Sequence, residues 1–373
     1  MSHITYLEAS VVGLIQGVTE LFPVSSLGHN VLIPALIGGS WAGDLNVAKS
    51  ESPYLAFIVG LHVATAIAMM IYFWRDWVRI IGGFFTSIRD RQISTVDQKM
   101  AWMIILATIP VGLVGLKFEH AFRVIFGEPI RAAIFLMVNG VILFAGEKFR
   151  TKKSLAADAE LEAQADGLVA TPAASSPVTD AAVTDAAVAG AAMSGALAAG
   201  PAGAVARPAG AGAHGGNAGR GAAMHASGQR AARQQEASRA YDADGRLSKI
   251  GYWQALIIGS AQILALFAGI SRDGVVMVTG MFRGLSRQDA ARFSFLLSTP
   301  VILAAGVLKI SDLTGPLGNG IRGQVIVGSI LSGVGAYLSV RFLMKYFQTR
   351  TLTPFAIYCV VFGLGATIYL SLH

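Results

Sequence analysis

Of the 373 residues, 54% are hydrophobic and only 14% are charged, against roughly 25% charged in soluble domains. That deficit excludes an ordinary soluble globular chain. A single cysteine, Cys359, excludes intrachain disulfides and cysteine metal clusters. The net charge of +7 points to nucleic acid only if it is clustered on a folded surface, and its distribution along the chain says otherwise.

The first ten residues, "MSHITYLEAS", lack a basic n-region and a small-residue cleavage site, so no removable signal peptide is expected. The stretch "GLIQGVTELFPVSSLGHN", residues 13–30, then places Gln16, Glu20, Ser25, Ser26 and His29 between aliphatic runs. Pro23 interrupts a helix there and pushes its predecessor out of αR. A helix, a sharp break and a second helix are expected, forming a re-entrant hairpin. Gln16 and Glu20 are i, i+4 and share a helix face. Ser25 or Ser26 can N-cap the returning helix.

Six helix-length apolar runs follow: 54–74, 100–116, 131–146, 293–308, 324–344 and 354–372. A span needs about 20 apolar residues, and these runs show no polar face at a 3.6-residue period. Lys and Arg gather in alternate connections. Arg75, Arg79, Arg89, Arg91 and Lys99 follow the first run, and Lys148, Arg150, Lys152 and Lys153 follow the third. Arg283, Arg287 and Arg292 precede the fourth, and Arg341, Lys345 and Arg350 close the fifth. The positive-inside rule makes these connections cytoplasmic and both termini external. The basicity is topology, so the partner is a membrane and not nucleic acid.

Between residues 154 and 243 the composition turns to Ala, Gly, Ser and Pro, the signature of a flexible linker. The expected organisation is a first membrane repeat over 1–150, a cytoplasmic linker over 151–246 and a second repeat over 247–373. The halves rhyme. Gly13, Gln16 and Ser25 match Gly259, Gln262 and Ser271 in spacing, and "ELFPVSS" aligns with "LFAGISR". Three crossings per half invert the second repeat relative to the first, an arrangement in which broken helices meet near the membrane midplane. The fold expected is all-α and polytopic, with six transmembrane helices plus two re-entrant helix pairs in two inverted-topology repeats.

Two helix N-termini brought together offer unpaired N–H groups and positive dipole ends, a site for a doubly phosphorylated headgroup. Glu20 is an ionisable group inside the membrane and by default functional. Arg272 follows the second break, and its planar guanidinium suits phosphate oxygens. His29 reads equally as a packed core histidine. Taken together, Gln16, Glu20, Ser25, Ser26, His29 and Arg272 suit the roles of nucleophile, base, acid and phosphate clamp.

"QGVTELFPVSSLGH" (16–29) closely resembles the [E/Q]GxTEFLPVSSxGH signature of the bacterial undecaprenyl-diphosphate phosphatase family, also called bacitracin-resistance proteins. "AGISRDG" (268–274) resembles that family's second motif, PGxSRSG, and 286–300 and 354–363 are also similar to it. Three positions depart: Ala268 replaces a proline, Asp273 a serine, and Val276 a frequent threonine. The resemblance implies hydrolysis of a C55 polyprenyl diphosphate to recycle the lipid carrier for the cell wall. It also implies a bacterial inner-membrane location, a site opening outward and a divalent cation, Mg²⁺ or Ca²⁺, held toward Glu20. Glu20, Ser26, His29 and Arg272 are then the catalytic candidates. Gln16, Ser25, Ser271 and Asp273 are substrate-binding candidates. Ser26, His29 or water stays open as nucleophile, a homodimer stays open, and a transporter or flippase for an anionic substrate is the rival reading.

Overall fold

The computed structural model describes residues 4–46, 53–126, 128–170, 238, 240–308, 315, 318 and 320–373. Contacts divide the chain into two units, Met1–Ala163 with Arg239–His373, and Gln164–Ser238. Of the second unit, the described residues are the final turns of one helix and position 238. The linker expected over 151–246 therefore falls largely outside the described residues. Its flanks belong to the first unit. Ser154 is fully buried and donates to the Leu285 carbonyl at 2.6 Å, and Asp244 is fully buried.

The first half runs α1 (Tyr6–Thr19), α2 (Ser26–Ile37), the short α3 (Gly39–Asp44), α4 (Pro53–Tyr72), α5 (Trp74–Asp90), α6 (Val96–Phe126), α7 (Pro129–Lys148) and α8 (Lys152–Ala170). The second runs α9 (Tyr252–Ser260), α10 (Arg272–Phe282), α11 (Arg287–Leu308), α12 (Arg322–Tyr346) and α13 (Thr353–Leu372). No strand occurs among the described residues. Six helices are long and apolar enough to cross a membrane: Pro53–Tyr72, Val96–Phe118, Pro129–Lys148, Arg287–Leu308, Arg322–Tyr346 and Thr353–Leu372. Each contains or closely overlaps one of the six apolar runs. The protein is an all-helical, multi-pass membrane protein.

α1 starts on a capping box, with Thr5 accepting from the Glu8 N–H while the Glu8 carboxylate accepts from the Thr5 N–H at 2.7 Å. Its second-half counterpart differs from a plain helix. After Ser260 the chain tightens into a 3₁₀ turn, Ala261–Leu266. The Gln262 side-chain amide donates to the Gly259 carbonyl at 3.2 Å, supplying a local partner that helps to accommodate the changed backbone pattern.

Small residues let the helices approach to backbone contact, the usual way apolar helices pack in lipid. α1 lies on α12 with Gly13 against the Gly328 carbonyl, and α9 lies on α6 with Gly259 against Ala107. α7 and α13 meet twice. A methyl on Gly140 would sit 2.7 Å from the Ala356 carbonyl oxygen, and one on Gly363 would sit 2.7 Å from that of Ala133.

The basic connections converge at one end of the helices. Arg79 pairs with Asp76 at 2.6 Å and Asp244 at 2.7 Å, and Arg292 binds the same two carboxylates at 3.0 and 2.9 Å. Arg287 bridges Glu147 and Asp158, each at 2.9 Å, and Arg150 binds Asp158 at 2.7 Å. Glu147 also accepts from the Leu352 N–H at 3.2 Å. Five stretches that are distant in sequence thus meet there.

Candidate active site

Glu20 is the C-terminal cap of α1, in αR geometry, and nearly all its surface is buried. Both carboxylate oxygens are engaged. Oε1 accepts from the Arg272 guanidinium at 2.6 Å. Oε2 accepts from the Gln16 amide at 2.8 Å and from the Ser26 hydroxyl, and lies 3.4 Å from His62 Nε2 on α4. Gln16 in turn accepts from Asn30 Nδ2 at 2.6 Å. The i, i+4 spacing on α1 thus produces the contact it predicts.

Ser26 and Arg272 occupy the same local position in different halves. Each is the first residue of its helix and each follows an N-cap serine whose hydroxyl accepts from the N–H of the third helical residue. The breaks are also bonded to each other. Ser25 adopts φ 67°, a conformation costly for a non-glycine residue. That geometry is held because its Oγ accepts from both the Gly28 and Gly269 N–H groups at 3.2 Å. Gly269 has φ 107°, and a Cβ there would strike the Ala132 carbonyl, so only glycine suits the position. Asn139 of α7 closes the joint. Its Nδ2 donates to the Pro23 carbonyl at 2.9 Å, and its Oδ1 accepts from the Ser271 N–H at 3.0 Å.

Gln16, Glu20, Ser26 and Arg272 are therefore brought into one cluster, with Ser25 and Ser271 as the caps that set its two halves. His29 is turned elsewhere. Its Nδ1 lies 2.7 Å from the Ser25 carbonyl and its Nε2 lies 2.8 Å from the Tyr358 hydroxyl. The ring stacks on Tyr358 and Phe362 with centroids 5.7 and 5.3 Å away. Asp273 is fully buried and faces α11, its Oδ1 accepting from Ser294 at 2.7 Å and Ser298 at 2.5 Å. It sits in the first turn of α10, where a carboxylate suits the helix dipole.

Sequence reasoning passed over His62, Asn30 and Asn139. A histidine and an asparagine inside otherwise apolar spans are themselves signals, since polar groups at membrane depth are expensive. Asn30 adjoins the motif residue His29 and carries no spacing signal of its own.

Among the described residues, no group of three or more His, Cys, Asp or Glu side chains could hold a metal ion. The cluster offers one carboxylate, Glu20, and one buried amide oxygen, Asn30 Oδ1, with no hydrogen-bond partner among the described residues. This donor set fits a hard cation that draws most of its ligands from substrate phosphates, as Mg²⁺ commonly does. It does not form an all-protein cage. Arg272 Nε is likewise buried without a partner among the described residues, leaving a guanidinium N–H for an anion.

A multi-pass helical membrane protein here gathers a carboxylate, a serine and an arginine where two helix N-termini meet, an arrangement chemically suited to an anionic group. The chain belongs to the family described as bacitracin resistance protein BacA, whose profile matches residues 9–201 and 220–365. It is 50% identical over 372 residues to the undecaprenyl-diphosphatase of Mycolicibacterium paratuberculosis (strain ATCC BAA-968 / K-10), covering 100% of this chain and 99% of that protein. Undecaprenyl-diphosphatase 2 of Frankia alni is 46% identical over 375 residues, covering 99% and 98%. Undecaprenyl-diphosphatase 2 of Burkholderia orbicola is 32% identical over 361 residues, covering 96% and 95%.

Proposed function

We propose that this protein hydrolyses undecaprenyl diphosphate to undecaprenyl phosphate and inorganic phosphate, recycling the lipid carrier for cell-wall synthesis and conferring bacitracin resistance. The observation that carries the reading is the convergence of Ser26 and Arg272 on the two oxygens of Glu20. Arg272 and the N-termini of α2 and α10 bind the diphosphate. Ser26 Oγ attacks the terminal phosphorus, its proton passes to Glu20 Oε2, and the bond to the bridging oxygen breaks to release undecaprenyl phosphate. Water then hydrolyses the phosphoserine and frees phosphate. Rate enhancement comes mainly from positioning and charge stabilisation, as in other phosphoryl transfers. The contacts of Ser26 favour Glu20 over His29 as proton acceptor. His29, bonded to Tyr358, supports the wall of the site.

A divalent cation, Mg²⁺ or Ca²⁺, is part of the proposal: Glu20 would hold it, and when bound it would supply charge neutralisation of the phosphates. The fold is read as two inverted repeats, each opened by a re-entrant helix pair. This is supported by the reciprocal contacts of Gly140 and Gly363 and by the parallel packing of α1 on α12 and α9 on α6. The convergence of basic connections through Arg79, Arg150, Arg287 and Arg292 supports that end as cytoplasmic, with the site opening to the outer side of a bacterial inner membrane. One chain supplies every named residue of the cluster.

The test is phosphate release. Detergent-purified protein given undecaprenyl diphosphate and Mg²⁺ should release inorganic phosphate without any membrane gradient. A transporter or flippase would release none, and that result overturns the reading.

A further inference from the structure

α5 is not one of the six candidate spans, yet it carries a continuous row of large apolar side chains pointing away from the protein. Trp74, Val78, Ile81, Phe85 and Ile88 are 56%, 63%, 47%, 64% and 52% exposed. At about 100° per residue, these five positions fall on one stripe. A second face is buried, formed by Asp76, Ile80, Gly83 and Ser87. It packs on the start of α6. Trp102 Nε1 donates to Ser87 Oγ at 2.9 Å, Phe84 lies 5.5 Å from Trp102, and Gly83 touches the Asp97 backbone. A third face, beside the apolar stripe, holds exposed Arg75, Gly82 and Arg89, the last also paired with exposed Asp90 at 2.8 Å, with Arg91 just past the end.

Three faces of different character on one helix define its surroundings. A helix standing in water would not expose five large apolar groups in a row. A crossing helix would not carry arginines along a flank. The ends are also fixed at a membrane surface, because α4 ends at Tyr72, two residues before α5 begins, and α6 starts at Val96. We infer that α5 lies flat in the headgroup layer, with its apolar stripe in the acyl region and Arg75, Arg89 and Arg91 on anionic lipid headgroups. Amphipathic helices with basic flanks bind such surfaces through buried apolar area and attraction to anionic lipid. Assignment of this surface to the cytoplasmic leaflet rests on the topology proposed above. The depth does not.

The experiment uses the full chain in vesicles of phosphatidylcholine with phosphatidylglycerol, carrying Phe85→Cys, Val78→Cys or Gly82→Cys, each labelled with bimane. The unsubstituted chain serves as the control for Cys359, which is buried. Lipid-borne 5-doxyl quencher should quench the Phe85 and Val78 probes at least about threefold more than the Gly82 probe, and aqueous iodide should show the reverse order. Replacing phosphatidylglycerol with phosphatidylcholine should move the Gly82 probe toward water, a shift that Arg75→Gln with Arg89→Gln and Arg91→Gln abolishes. Equal iodide quenching at all three positions, or no response to phosphatidylglycerol, overturns the inference. Iodide confined to one side of oriented vesicles reports the leaflet, and phosphate release in the same vesicles reports the activity, so each can fail separately.

Discussion

Arg272 reaches Glu20 Oε1 at 2.6 Å across 252 positions of chain. The pair joins the first residue of α10 to the last turn of α1, and Glu20 uses its other oxygen for Ser26. A guanidinium this close holds the carboxylate in position. Glu20→Gln should therefore cut phosphate release by about 10²–10⁴-fold, and because it takes the carboxylate partner from Arg272 it should also lower thermal stability while the protein still inserts into the membrane. Activity within a few-fold of the parent would remove Glu20 from its assigned role.

Ser26→Ala should be as inactive, for a different reason: the attacking oxygen is gone while Glu20 and Arg272 still meet. Mass spectrometry of the parent protein quenched during turnover should find phosphate on Ser26. An unmodified Ser26 under conditions of steady turnover would point to water as the nucleophile.

Asn139 satisfies two backbone groups from opposite halves at once. Asn139→Leu leaves the Pro23 carbonyl and the Ser271 N–H buried without that partner, at a cost of about 1–3 kcal/mol each. A lowered unfolding temperature in detergent, together with loss of hydrolysis, is the expected outcome. Unchanged stability would show that the joint between the breaks is held by Ser25 alone.

Asp273 faces α11, where its Oδ1 accepts from Ser294 and Ser298, while its Oδ2 is buried without a hydrogen-bond partner among the described residues. The Mg²⁺ concentration giving half activity should thus be unaltered in Asp273→Ser, since a group turned to α11 does not ligate the cation. A large rise in that concentration would make Asp273 a metal ligand.

Deleting 171–237 and joining the ends with a short Gly/Ser loop should preserve phosphate release, because every member of the Glu20 cluster among the described residues lies outside that stretch. Deleting 154–243 should not. It removes Ser154 and Asp158, leaving Arg150 buried without its 2.7 Å partner, and breaking a buried pair this way costs about 3–5 kcal/mol. Membrane yield and activity of the two deletions, compared side by side, decide this.

Local features of this protein were legible from residue order. The six spans follow from the length and uniform hydropathy of their runs. The Gln16–Glu20 contact follows from the rise of one helix, and the caps at Ser25 and Ser271 follow from a hydroxyl beside a helix start. Each depends on residues a few positions apart, where backbone geometry leaves few choices. Arg272 followed from its place after the second break, and the family resemblance matched it to a motif position. The tertiary structure decided where the chemical groups face. His29 and Asp273 sit inside the same motifs as Ser26 and Arg272, yet one turns to Tyr358 and the other to Ser294 and Ser298. His62 and Asn139 enter from spans with no motif. Apolar helices without a polar face carry no periodic signal of which side meets which neighbour. Their rotation is set by close backbone approaches such as Gly13 on Gly328 and Gly140 on Ala356, and those contacts exist only once all the helices are packed together.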